Sequence, residues 1–209
     1  YTPVQYAVLS RLFHCKKTIL GDVSQTVNPY SASSAEGIHR VFPHGDTVKL
    51  FRSYRSTWEI THFALRISGN PDLIAMERHG QAPEVRGFSS NIEEAEEIKK
   101  MIETFRHSSH HSMGIICKTG EQAESLNHEL NLPGIHLLTP ESTSLTNGVI
   151  ITTVHLSKGL EFDEVIVPFA SFRNYQTDMD RSLLYIACTR AMHQLTLTYA
   201  KEKSLFIID

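Results

Sequence analysis

Short, unbroken apolar runs alternate with segments that open on a helix-capping residue, and few folds accept that pattern. The runs include MGIICK (113–118), GVIITTV (148–154) and DEVIVPF (163–169). A strand on a half-solvated sheet alternates apolar with polar residues; one that is apolar throughout has both faces covered. Between the runs, Ser90 stands three residues before Glu93 and Thr119 three before Gln122. Each pair is a capping box that opens a helix. In the first of these helices, IEEAEEIKKMIETF, apolar residues fall at 92, 95, 98, 102 and 105, the period of one buried face. Its acidic start and basic end suit the helix dipole. The same reading predicts helices at 3–13, with Pro3 in the first turn, at 57–67 behind a Ser56/Glu59 box, and at 179–190. Further strands are predicted at KTILGD (17–22), TVKLF (47–51), PEVRGF (83–88), GIHLL (134–138) and LTLTYA (195–200). Strands alternating with helices define the α/β class: a mostly parallel sheet with helices on both faces.

Composition narrows the function. At 209 residues, 41% hydrophobic and 21% charged, the chain can bury a core, which excludes a disordered tail. Its length suits one α/β domain and part of a second. Twenty basic against 23 acidic residues give a net charge of −3, so nucleic acid must be held by a local patch, not by bulk charge. No apolar run reaches membrane-spanning length, and the opening YTPVQYAVLS lacks the basic start of a signal peptide. Cys15, Cys117 and Cys188 lie far apart, the last two inside apolar runs, as expected of reduced thiols in a cytoplasmic protein. His107, His110 and His111 lack a fourth ligand at metal-site spacing and read as a polar loop; no metal ligands are assigned.

Open parallel sheets bind ligands at the carboxyl ends of their strands, which directs attention to the residues after each strand. Asp22 and Gln25 follow the first strand, Tyr54 and Arg55 the second, and His155-Leu156-Ser157-Lys158-Gly159 the run GVIITTV. Arg190 lies on the last predicted helix. Each has an ordinary reading: a surface ion pair for the arginines, a turn for Gly159, a turn cap for Gln25. Together they suit a polyphosphate. Arginine forks match phosphate oxygens, a glutamine orients water or a γ-phosphate, and a tyrosine face stacks on a base. Lys118-Thr119 looks like the end of a Walker A loop, but Cys117 stands where glycine is required, and no complete loop exists in the chain.

Four segments resemble, in order, motifs of the UvrD/Rep type of superfamily 1 DNA helicases. LGDVSQ (20–25) resembles motif III, SYRST (53–57) motif IV, TVHLSKGLEFDEVIV (153–167) motif V, and LLYIACTRAMHQLTLTY (183–199) motif VI. GIICKTGEQAESLNHEL (114–130) resembles the strand and helix the family places between motifs IV and V. The resemblance implies a RecA-like domain. Residues 1–40 would be the tail of a first motor domain with its linker, and residues 41–209 the second domain. ATP would lie between the two domains, with Mg²⁺ held mainly by the first, and single-stranded DNA would be the track. The roles it implies are γ-phosphate sensing for Gln25, with Asp22 beside it, and adenine stacking for Tyr54. Arg55 would contact the γ-phosphate, Glu161 would lie near the ribose, and Arg190 would be the arginine finger. Thr153, His155 and Lys158 would link nucleotide state to DNA. The surface carrying Tyr54, Arg55, Glu161 and Arg190 is expected to be exposed, and the chain alone to be inactive.

Two departures, together with the opening YTPVQYAVLSRLF, resemble the HelD (helicase IV-like) branch. The Tyr-Gly-Trp-Arg-like stretch after motif III is replaced by TVNPYSAS, with Tyr30 its only aromatic, and about 20 residues separate the helix 119–130 from motif V. Some members of that branch act on RNA polymerase, which makes it a second candidate partner. A non-catalytic binding module is a third reading; it is disfavoured because Gln25, Arg55, Glu161 and Arg190 are all present.

Overall fold

The computed structural model describes residues 1–21, 35–50, 52–69, 74–142 and 147–208. In chain order its elements begin with α1 (Pro3–Leu12), α2 (Ala35–Val41), β1 (Arg52–Ser53), α3 (Trp58–Ser68), β2 (Ile74–Ala75), β3 (Glu84–Phe88) and α4 (Asn91–Arg106). They continue with β4 (Ser112–Cys117), α5 (Gly120–Leu130), β5 (Ile135–Leu137), β6 (Gly148–Thr153), β7 (Phe162–Val167), α6 (Asp178–Cys188) and β8 (Ala191–Ala200). Six strands form one parallel sheet in the order β3-β8-β7-β4-β6-β5. β1 and β2 form a separate parallel pair.

The unbroken apolar runs divide between two cores because successive strand residues point to opposite faces. Met113, Ile115 and Cys117 of β4 join Val149 and Ile151 of β6 against α4 and α5, through Ala95, Ile98, Ile102, Ala123, Leu126 and Leu130. Ile116, Ile150, Val165 and Leu195 face the other way, against Ile60, Phe63 and Ile67 of α3 and Leu184, Ala187 and Cys188 of α6. The fold is therefore the expected α/β architecture, a parallel sheet with helices on both faces.

Most helix starts fall where their caps predict. Thr119 and Gln122 exchange hydrogen bonds at the start of α5, as do Thr2 and Gln5 around Pro3 of α1. Ser90 caps α4 by accepting from Glu93 N at 3.3 Å. In α3 the cap is Thr57, one residue later than expected, because Ser56 is used elsewhere. The last helix is shorter than predicted. It ends at Cys188, which leaves Thr189 and Arg190 in the turn before β8.

Two predicted strands are corrected. Residues 17–21 form no strand, and Asp22 lies outside the described residues. Residues 47–50 are likewise irregular; pairing starts only at Arg52 and lasts two residues. A β-favouring composition makes a strand only where a neighbour takes its N–H and C=O groups and a core covers one face. Leu20, Val48 and Leu50 have no such cover and are exposed.

Candidate functional site

Arg55, Glu161 and Arg190 come together at the amino ends of β7 and β8, the end opposite to the one expected. Phe162 opens β7 and pairs with Ala191, which opens β8. Glu161 and Arg190 are the residues just before each. Arg55 Nε donates to Glu161 Oε1. Arg190 holds the chain on both sides of Glu161: its Nη1 donates to Leu160 O at 3.4 Å, and its carbonyl accepts from Phe162 N at 3.0 Å. Arg55 follows β1 and leads into α3, but the carboxyl-end rule fails for Glu161 and Arg190, because each lies on a connection or turn that leads into a strand.

The expected exposure holds for part of the group. The Tyr54 ring is 65% exposed, and Arg55 and Glu161 are partly open to solvent. Arg190 is 1% exposed. Its guanidinium donates to Ile186 O at 3.2 Å and to Thr189 Oγ1 at 3.2 Å, in addition to Leu160 O. A cation this deeply buried needs several acceptors, and the carbonyls of Ile186 and Leu160 and the Thr189 hydroxyl supply them.

Motif-level contacts lock this corner. Ser56 Oγ donates to Ala191 O. Arg78, which the sequence reading passed over, donates from Nη2 to Arg55 O and to Met192 O. Asp163, two residues past Glu161, is held below the usual carboxylate range. Burial works against its charge, but the amides of His111 and Ser112 and the Ser112 hydroxyl outweigh it. Those bonds, 2.8, 2.9 and 3.0 Å long, tie the start of β7 to the start of β4.

Thr153, His155 and Lys158 lie on the connection that leaves the carboxyl end of β6. Val154 N donates to Cys117 O at 3.0 Å, level with the end of β4. The chain then turns twice, with Ser157 N on Thr153 O (2.9 Å) and Leu160 N on Ser157 O (2.9 Å). Gly159 sits between at φ +93°, a conformation that a side chain disfavours. Thr153 Oγ1 accepts from Leu156 N at 3.3 Å, and His155 and Lys158 are exposed. The structure thus places the nucleotide-type and DNA-type candidates at opposite ends of one connection. Asp22, Gln25 and Tyr30 lie outside the described residues.

Lys118, the Walker-like lysine, is committed elsewhere. Its Nζ lies 2.5 Å from Asp180 Oδ1 and 2.5 Å from Asn174 O. Cys117 and Cys188 are buried, and burial pushes both thiols up; Cys15 is exposed. Among the described residues no group of three or more His, Cys, Asp or Glu is placed to hold a metal ion, and no helix is long and apolar enough to cross a membrane.

The six-stranded parallel sheet with helices on both faces defines a RecA-like α/β domain. Residues 148–198 match the family of UvrD-like helicase C-terminal domains. A solved C-terminal domain of a possible DNA helicase from Lactobacillus plantarum WCFS1 is 34% identical, covers 74% of this chain and 92% of its own, and superposes with a TM-score of 0.58. DNA helicase II of Haemophilus influenzae is 27% identical over 156 residues, which are 70% of this chain and 19% of that protein. DNA helicase II of Escherichia coli is 34% identical over 70 residues, 29% of this chain and 10% of that protein. The chain belongs to the UvrD-like helicase C-terminal domain family, and it spans less than a fifth of the length of these curated relatives.

Proposed function

We propose that the chain is the second motor domain of an ATP-dependent DNA helicase or translocase, with residues 1–40 contributed by the first. The observation that carries this reading is the convergence of Arg55, Glu161 and Arg190 at the amino ends of β7 and β8. An exposed tyrosine beside two arginines suits a base followed by phosphates. On this reading Tyr54 stacks on adenine, Glu161 lies near the ribose, Arg55 contacts the γ-phosphate and Arg190 is the arginine finger. Gln25 and Asp22 belong to the facing domain's side of the cleft.

Mg²⁺ belongs to the carboxylates of that facing domain, and the nucleotide supplies the phosphoryl group that is transferred to water. What this domain adds is positive charge aimed at the transition state, made conditional on closure. Thr153, His155 and Lys158 face single-stranded DNA, and the enzyme works in the cytoplasm. The HelD-like alternative draws support from the short connection between α5 and β6, from TVNPYSAS and from the opening YTPVQYAVLSRLF; the relatives matched are DNA helicases, and RNA polymerase has no support among them. A non-catalytic module is weighed against by the intact Arg55–Glu161 pair.

The test is ATP hydrolysis by the full-length protein with and without single-stranded DNA, for the wild type and Arg55→Ala. DNA-stimulated turnover that Arg55→Ala lowers to a small, still measurable rate supports the reading. Absence of turnover in the wild type sinks it.

A further inference from the structure

Arg78-His79-Gly80 is a strap across the first turn of α3. Each of its residues has a different task there. The Arg78 carbonyl accepts from Trp58 N at 2.8 Å, satisfying a first-turn amide that has no partner within the helix. His79 Nδ1 lies 2.8 Å from Glu59 Oε1, and Gly80 N donates to Glu59 Oε2 at 2.9 Å. The bond to His79, helped by backbone amides, holds the Glu59 carboxyl below the usual range. Gly80 must be glycine for space: a Cβ there would lie 2.6 Å from Thr57 Cγ2, and Thr57 is the buried cap of α3.

The strap delivers one guanidinium to one place. Arg78 Nη2 donates to Arg55 O and, at 3.0 Å, to Met192 O. Met192 is two residues past Arg190. A single nitrogen therefore joins the main chain that carries Arg55 to the main chain that follows Arg190. Hydrogen bonds from an ionised donor are stronger than neutral ones, so this bridge is a stiff spacer. Among the described residues Arg78 makes no ion pair, so the two carbonyls are what its charge meets.

We infer that Arg78 is a positioning residue: it fixes the main chain that carries Arg55 relative to the main chain that follows Arg190, and contributes to ATP turnover without touching the nucleotide. The inference rests on the reading of the chain as a second motor domain. A misplacement of catalytic groups by a fraction of an ångström to an ångström costs one to two orders of magnitude in rate. A ground-state contact with phosphate would instead appear as weaker nucleotide binding, and a purely structural role as lost stability alone.

The experiment uses the full-length protein carrying this chain, measuring kcat and KM for ATP with single-stranded DNA, and Tm. Arg78→Met, which keeps the stem, is expected to lower kcat about ten-fold with KM for ATP within about two-fold of wild type. Arg78→Lys, whose ammonium can still span two carbonyls, should recover most of the loss. In an Arg55→Ala background, Arg78→Met should add less than about two-fold, because the spacer then has nothing to place. An unchanged kcat in folded Arg78→Met, a fully multiplicative loss in the double variant, or a raised KM with kcat intact would each overturn the inference. If the wild type itself hydrolyses no ATP, the motor-domain reading fails and takes this inference with it; that result is distinct from an active wild type indifferent to Arg78.

Discussion

Ser56 Oγ donates to the carbonyl of Ala191 at 2.6 Å, so the residue after Arg55 is bonded to the residue after Arg190. Ser56 is 4% exposed, and water cannot replace its hydroxyl there. Ser56→Ala should cost about 1–2 kcal/mol. For a domain of this size that is a fall of roughly 2–8 °C in Tm, read by a thermal melt. An unchanged melt would mean that the corner is held without this bond.

Arg55 and Arg190 should behave differently when removed from the full-length protein. Arg55 is partly solvated, so Arg55→Ala should leave Tm nearly unchanged and lower kcat. Arg190 is buried on three carbonyl or hydroxyl acceptors, so Arg190→Ala should lower both Tm and kcat, the latter by roughly 10³-fold. Normal kcat in a folded Arg190→Ala protein would remove its assigned role.

Acid should loosen the far end of the sheet through Asp180. Burial works against its charge, but the Lys118 ammonium and the amides of Gln176 and Thr177 prevail and hold the carboxyl at about 2. A depressed carboxyl stabilises the fold above its ordinary range, and that contribution is lost as pH falls from about 4 to about 2. Asp180→Asn should lose about 2 kcal/mol at neutral pH and show a shallower acid limb in that window. A parallel acid limb in the two proteins would refute the assignment.

Glu94 should act with the opposite sign. It is fully buried; Oε1 accepts from Thr198 Oγ1 (2.6 Å) and Phe169 N (2.8 Å), and Oε2 has no partner among the described residues. Burial raises its pKa. A raised carboxyl contributes fully below its ordinary range and loses that contribution as pH rises. The Tm advantage of Glu94→Gln over wild type should therefore grow as pH rises above the ordinary carboxylate range. Curves that stay parallel across the range would show that Glu94 does not titrate in this way.

The isolated 209-residue chain should hydrolyse ATP no faster than buffer, because its one Walker-like lysine, Lys118, is bound to Asp180. Turnover by the purified chain would contradict the division of labour between two domains.

The regular elements were legible because their signals are local. Ser90, Thr119 and the apolar positions of α4 act over one or two turns, and the runs around Ile115, Ile150 and Ile166 each supply both cores. What escaped depends on distant partners. Ser56 resembles a cap as well as Thr57 does, and only the Ala191 carbonyl, 135 residues away, decides between them. Arg190 reads as a surface arginine until the end of α6 encloses it. Glu161 and Arg190 were found by motif, yet expected at the other end of the sheet. Which end a connection serves depends on strand order, and no single segment encodes that order. Arg78 carried no signal at all: its partners are two main-chain carbonyls, invisible in side-chain identity.

The connection from Val154 to Glu161 begins level with the last residue of β4 and ends beside the first of β7. It must therefore travel nearly the height of the six-residue strand β4, roughly 20 Å, while two turns consume part of its contour. Little slack remains. Such a segment works as a sprung tie: a tug at His155 must either open one of its two turns or arrive at Leu160, where the Arg190 guanidinium is fastened. Backlash between the two ends of the sheet is then limited by two turns in one short piece of chain, those closed by Ser157 N and Leu160 N.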